Sequence, residues 1–124
     1  MSTHPFSPPA ADQILDIQIE NQIVCLTMNR PDKRNAMSDE LLDAIAHFFN
    51  HPPEQAKVAI LRGTAGHFCS GLDLSEHVTR NAEQNMYHSR NWHRVMDQIQ
   101  YGGLPVISAL QGAVIGGGLE LASA

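Results

Sequence analysis

Cysteine is scarce: Cys25 and Cys69 are the only two in 124 residues, which excludes a disulfide framework. Together with five methionines they fit a reducing compartment. Basic runs are absent, Lys33-Arg34 being the densest spot, and 8 Lys and Arg against 13 Asp and Glu leave a net charge of −5. That balance argues against nucleic acid as a main partner. No apolar run approaches the ~20 residues of a membrane span. The opening MSTHPFSPPAADQ has neither the charged and apolar regions of a secretory signal nor the arginines of a transit peptide. The expectation is a cytoplasmic protein with a flexible proline-rich tail over residues 1–13. No repeat or linker divides the remainder.

The apolar content, 43%, is that of a globular chain, and its spacing is informative. Leu15, Ile17 and Ile19 alternate with polar residues. After Asn21-Gln22, so do Val24, Leu26 and Met28, which predicts a β-hairpin. NRPDKRNAM is a loop. Residues 38–50 carry Leu41, Leu42, Ile45, Phe48 and Phe49 at helical spacing. Ser38 is the expected cap, and Asp39 and Glu40 suit the positive end of the helix dipole. Pro52-Pro53 ends that helix. KVAILRG and PVISALQG read as buried strands, and residues 86–101 as a second helix with Trp92, Val95, Met96 and Ile99 in the core. Residues 75–84 show no pattern that places them. Strands alternating with helices predict an α/β fold.

The chain closes on VIGGGLELASA. Glycine weakens strands and helix interiors alike, so a run of three at a strand-to-helix junction requires a reason. Bare backbone there presents free N–H groups at the start of a helix, where an anion or a developing oxyanion is welcome. Phosphate-loop and dinucleotide patterns both fail at Gly112 to Gly118. Close packing of helix on strand explains the glycines equally well. HFCSGLDL repeats the design, with a buried strand, a glycine and an acid in turn. Two such loops can aim two amides at one carbonyl oxygen. His67, Cys69 and Ser70 lack a third partner for nucleophilic catalysis. His47 and His51 lack further metal ligands, so no metal site is expected.

Three segments in order, LTMNRPDKRNAMSDEL, HFCSGLDL and PVISALQGAVIGGGLELA, resemble the enoyl-CoA hydratase/isomerase family, the crotonases, from about residue 14 to residue 124. The resemblance implies a crotonase-like spiral of ββα units, incomplete, comprising the N-terminal half. It implies an oxyanion hole from the amides of Leu72 and Gly117, and Glu120 as catalytic acid/base. It places the substrate and its CoA portion at Lys33, Arg34, Ala36, Ser70, Gly71, Leu72, Asp73, Gly116 and Gly117. No cofactor is implied beyond coenzyme A as part of the substrate. The partner is an acyl-CoA, and the parent assembly a homotrimer or dimer of trimers. Family members are longer, and their second hydratase glutamate lies beyond position 124, so the chain is expected to be a fragment with little activity of its own. Glu120 favours a hydratase. Isomerase, dehalogenase and thioester hydrolase branches, or a non-catalytic CoA-binding module, are the alternatives.

Overall fold

A computed structural model describes residues 6–124. The hairpin forms as the alternation predicts. Strand β1 (Leu15–Glu20) pairs antiparallel with β2 (Ile23–Met28), with Leu15 opposite Met28 and Glu20 opposite Ile23. Asn21 and Gln22 both take positive φ, 49° and 71°, the conformation that two-residue hairpin turns demand. β1 is an edge strand, and Ile17 and Ile19 remain 46% and 39% exposed. Residues 1–5 of the expected tail lie outside the described residues. Beyond them, Ser7 exchanges two 2.8 Å hydrogen bonds with the Gln18 side chain. The Asn29 amide donates to the carbonyls of Ala10 and Gln13.

Helix α1 (Asp39–Asn50) starts at Ser38, whose side chain accepts from the Leu41 amide. It leads into β3 (Val58–Arg62), parallel to β2. A four-residue helix α2 (Leu74–His77) and the long α3 (Ala82–Tyr101) follow, then β4 (Val106–Ala109), parallel to β3. The final helix is α4 (Gly117–Ser123). The four strands lie in chain order as one open sheet, with α/β alternation in the crotonase-like arrangement expected.

One face of the sheet meets the helices. Val24, Leu26, Met28, Ala59 and Leu61 pack with Leu41, Leu42 and Ile45 of α1, Trp92, Val95 and Ile99 of α3, and Leu121 of α4. Each large side chain so buried contributes roughly 1.5–3 kcal/mol, so the sheet and three helices share a single core.

Two expectations are corrected. The second helix begins at Ala82 rather than Met86, because Asn81 and Gln84 form a reciprocal capping box that satisfies otherwise unpaired N–H groups. PVISALQG is only partly buried, with Ile107 and Leu110 58% and 53% exposed. An apolar run says that a strand can be covered, not that it is. β4 is an edge strand here.

Candidate active site

The three loops that carry the sequence motifs are laced together through their main chains. In the turn after β2, Arg34 and Asn35 adopt left-handed φ of 50° and 57°. Asn35 is fully buried and acts as a hub. Its Oδ1 accepts from the Arg30 amide and the Thr64 hydroxyl, and its Nδ2 donates to the carbonyls of Thr64 and His67. A buried amide with this many partners is costly to replace. Asn35→Ala should destabilise the chain by about 3 kcal/mol, read as a lowered denaturant midpoint. A midpoint equal to wild type would show that the loop does not depend on Asn35.

The loop after β3 reaches that hub from the other side. Ser70 donates through its amide to the Arg34 carbonyl and through its hydroxyl to the Lys33 carbonyl, both at 3.1 Å. Met37 and Leu72 form a parallel bridge. The Met37 amide donates to the Gly71 carbonyl, and the Asp73 amide to the Met37 carbonyl. In that pattern the Leu72 amide faces away from its strand partner. Asp73 caps α2 and pairs with Arg30 at 3.0 Å. The Ser75 hydroxyl, bonded at 2.6 Å, and then Arg30 hold its carboxyl below the usual range, against burial that pushes it up. A carboxyl so held adds stability above its unfolded pKa, which is lost as pH falls through the folded value.

A second bridge, Cys69 to Val114, ties the first glycine loop to the glycine triplet. Burial pushes the Cys69 thiol up, so it is a packed thiol rather than a nucleophile. His67 accepts from the Ala113 amide through Nδ1 at 2.9 Å, which spends it on the same lacing. The three glycines then serve three ends. Gly116 turns the chain at φ 54°, ψ −117°, a region open to glycine. A methyl on Gly118 would sit 2.2 Å from the Cys69 carbonyl oxygen, so α4 packs backbone to backbone on the first loop. A methyl on Gly117 would lie 3.6 Å from the Leu72 nitrogen, and one on Gly71 would lie 3.7 Å from the Gly117 nitrogen.

The amides of Leu72 and Gly117 are therefore neighbours. Among the described residues neither donates to a main-chain or side-chain acceptor. Leu72 and Gly117 both line a cavity of about 300 Å³ that also takes in Trp92 and Glu120. Glu120 is the only carboxylate in its lining; His77, His88 and His93 provide the remaining titratable groups. Burial is the main force pushing the His88 imidazole down; Arg80 adds to it, and Asp39 opposes it. The Glu120 Oε2 accepts from the Trp92 indole N–H at 2.7 Å.

Of the expected site residues, Leu72, Gly117 and Glu120 meet in one cavity. Gly71 and Gly116 shape the two turns beside it. Asp73 and Ser70 hold the first loop in place. Ala36 accepts from the Arg30 guanidinium. Lys33 and Arg34 are exposed, and their main-chain carbonyls accept from Ser70 and, at Lys33, from the Ala36 amide. Asn35, Arg30 and the cavity histidines His77, His88 and His93 were not singled out from the sequence. A polar loop gives no periodic signal for its one buried member. The predicted helix over 86–101 already carried His88 and His93; only the reciprocal pair Asn81 and Gln84 could have signalled that α3 starts early enough to include Asn85, which also lines the cavity.

The profile of the enoyl-CoA hydratase/isomerase family matches residues 18–124. The chain is 33% identical over 129 aligned positions to the bovine enoyl-CoA hydratase domain-containing protein 2, mitochondrial, covering 99% of this chain and 43% of that one. It is 30% identical to the peroxisomal Delta(3,5)-Delta(2,4)-dienoyl-CoA isomerase of Arabidopsis thaliana, covering 90% and 45%. Among solved structures, the enoyl-CoA hydratase of Bacillus anthracis superposes with a TM-score of 0.83 at 28% identity, covering 89% of this chain and 44% of that one. A Rhodopseudomonas palustris protein superposes equally well, TM-score 0.83, at 43% identity, covering 94% and 45%. The chain belongs to the enoyl-CoA hydratase/isomerase family. It spans less than half the length of these relatives. Among the described residues no helix is long and apolar enough to cross a membrane, and no three His, Cys, Asp or Glu side chains group as metal ligands.

Proposed function

We propose that the protein containing this chain is an enoyl-CoA hydratase, adding water across the double bond of a 2-enoyl-CoA thioester. The observation that carries the reading is the pair of acceptor-free amides, Leu72 and Gly117, beside a single carboxylate in one cavity. The thioester oxygen accepts from both amides. As the oxygen of water bonds to the β-carbon, the electrons of the double bond move through the α-carbon onto the thioester carbonyl oxygen, and the two N–H groups stabilise the charge that develops there. Glu120 takes the proton released by the water. A second proton must reach the α-carbon. Among the described residues Glu120 is the only carboxylate in the cavity lining, so the second carboxylic acid is proposed to come from the parent protein outside residues 1–124.

The exposed Lys33 and Arg34, with Ala36 and Ser70, are the proposed CoA side of the site, where positive charge suits phosphates. The substrate is the acyl-CoA itself, with no further cofactor. The parent is taken to be a cytoplasmic homotrimer or dimer of trimers, on the strength of the family. The dienoyl-CoA isomerase relative supports isomerisation as the second reading, in which Glu120 moves a proton between carbons and no water is added.

Crotonyl-CoA supplied to the full-length protein should yield 3-hydroxybutyryl-CoA, while the 124-residue chain alone should show weak turnover or none. Robust hydration by the short chain would contradict the need for a second acid. Double-bond migration in a 3-enoyl-CoA without hydration of crotonyl-CoA would favour the isomerase.

A further inference from the structure

Trp92 is the only tryptophan in the chain, and its spacing on α3 with Val95, Met96 and Ile99 marks it as core. It is indeed 5% exposed. Yet its ring touches both halves of the candidate site. The indole N–H donates to Glu120 Oε2 at 2.7 Å. The far edge of the six-membered ring lies 3.1 Å from the position a Gly117 Cβ would occupy. We infer that Trp92 is a positioning residue: it fixes the Glu120 carboxylate relative to the two amides and leaves the other carboxylate oxygen free for the reacting water. The inference rests on the hydratase reading and adds to it a residue that never touches the substrate's reacting atoms.

Three facts support it. Glu120 stands on a helix of only seven residues and is exposed, so its own surroundings confine it little. Oε1 has no hydrogen-bond partner among the described residues, while Oε2 has the indole. A hydrogen bond to a carboxylate is short and roughly twice as strong as a neutral one, enough to select one rotamer. The donor's chemistry also matters. Indole N–H donates and cannot accept, so Trp92 orients the acid without exchanging protons with it. His77, His88 and His93 line the same cavity, but an imidazole nitrogen can accept as well as donate, whereas the indole N–H can only donate. Anchoring in the core gives the indole a fixed position, as a pre-organised site needs.

Two measurements test the inference. In the first, the single indole N–H resonance of the 124-residue chain is followed by ¹H–¹⁵N NMR. Glu120→Ala should move it toward the position of a solvent-bonded indole and speed its exchange, while amides of the sheet stay in place. An unmoved resonance overturns the contact, and this arm needs no substitution in the core. In the second, Trp92→Phe in the full-length protein should lower kcat for crotonyl-CoA about ten- to a hundred-fold and change KM less than about two-fold. A purely structural role would instead lower the folded fraction and leave kcat per folded molecule intact, which overturns the inference alone. Absence of turnover in the wild-type protein overturns the hydratase reading, and positioning falls with it.

Discussion

Glu120→Gln should lower crotonyl-CoA hydration by the full-length protein by about 10²–10⁴-fold, with thioester binding nearly unchanged. The amide is isosteric and keeps an oxygen for the indole N–H, so the geometry at Trp92 persists. What it loses is the ability to take a proton. If the carboxylate served only to suit the positive end of α4, the substitution would cost a few tenths of a kcal/mol of stability and leave rates alone. Steady-state kinetics with a melting curve on the same sample separates the two outcomes. Unchanged kcat would remove Glu120 from the chemistry.

Gly117→Ala and Gly118→Ala, the same substitution one residue apart, should fail in different ways. At Gly117 the new methyl meets the tip of the Trp92 ring at 3.1 Å, which a small ring shift relieves, and stands 3.6 Å from the Leu72 nitrogen. The chain should fold, with a methyl crowding the space in front of both amides. Turnover should fall by at least the ~10²–10³-fold typical of one lost oxyanion donor. At Gly118 the methyl meets carbonyl backbone at 2.2 Å, which no rotamer relieves. Overpacking of that kind should cost about 3 kcal/mol and loosen the Cys69–Val114 bridge. Thermal melts and hydration rates on both variants are the measurement. A Gly117→Ala enzyme with wild-type turnover would mean that no ligand oxygen approaches there.

The sequence was most readable where burial is periodic. The alternation of Leu15 to Met28 identified the hairpin, and the stripe from Leu41 to Phe49 identified α1 with its Ser38 cap. The glycine triplet announced backbone exposure, though not that its members divide between a turn at Gly116, a close approach to Trp92 and the Leu72 nitrogen at Gly117, and a packing contact at Gly118. What stayed hidden is polar and long-range. Asn35 is linked to residues 29 and 32 positions away, and nothing in NRPDKRNAM distinguishes it from its solvated neighbours. Trp92 was legible as core because its spacing is apolar; the one N–H that sets it apart has no periodicity. β4 read as buried because hydropathy counts side chains and not neighbours.

The lacing of the loops has a consequence for how such a site withstands change. Leu72 and Gly117 contribute peptide bonds held by other peptide bonds, through the Met37–Leu72 and Cys69–Val114 bridges. Codons at position 72 can drift among apolar residues while the donor stays where it was. A survey that trims side chains one at a time would pass over that amide and register only the packing of the half-buried Leu72 side chain. Only proline, an ester in place of the amide, or a shift of the chain path would expose it.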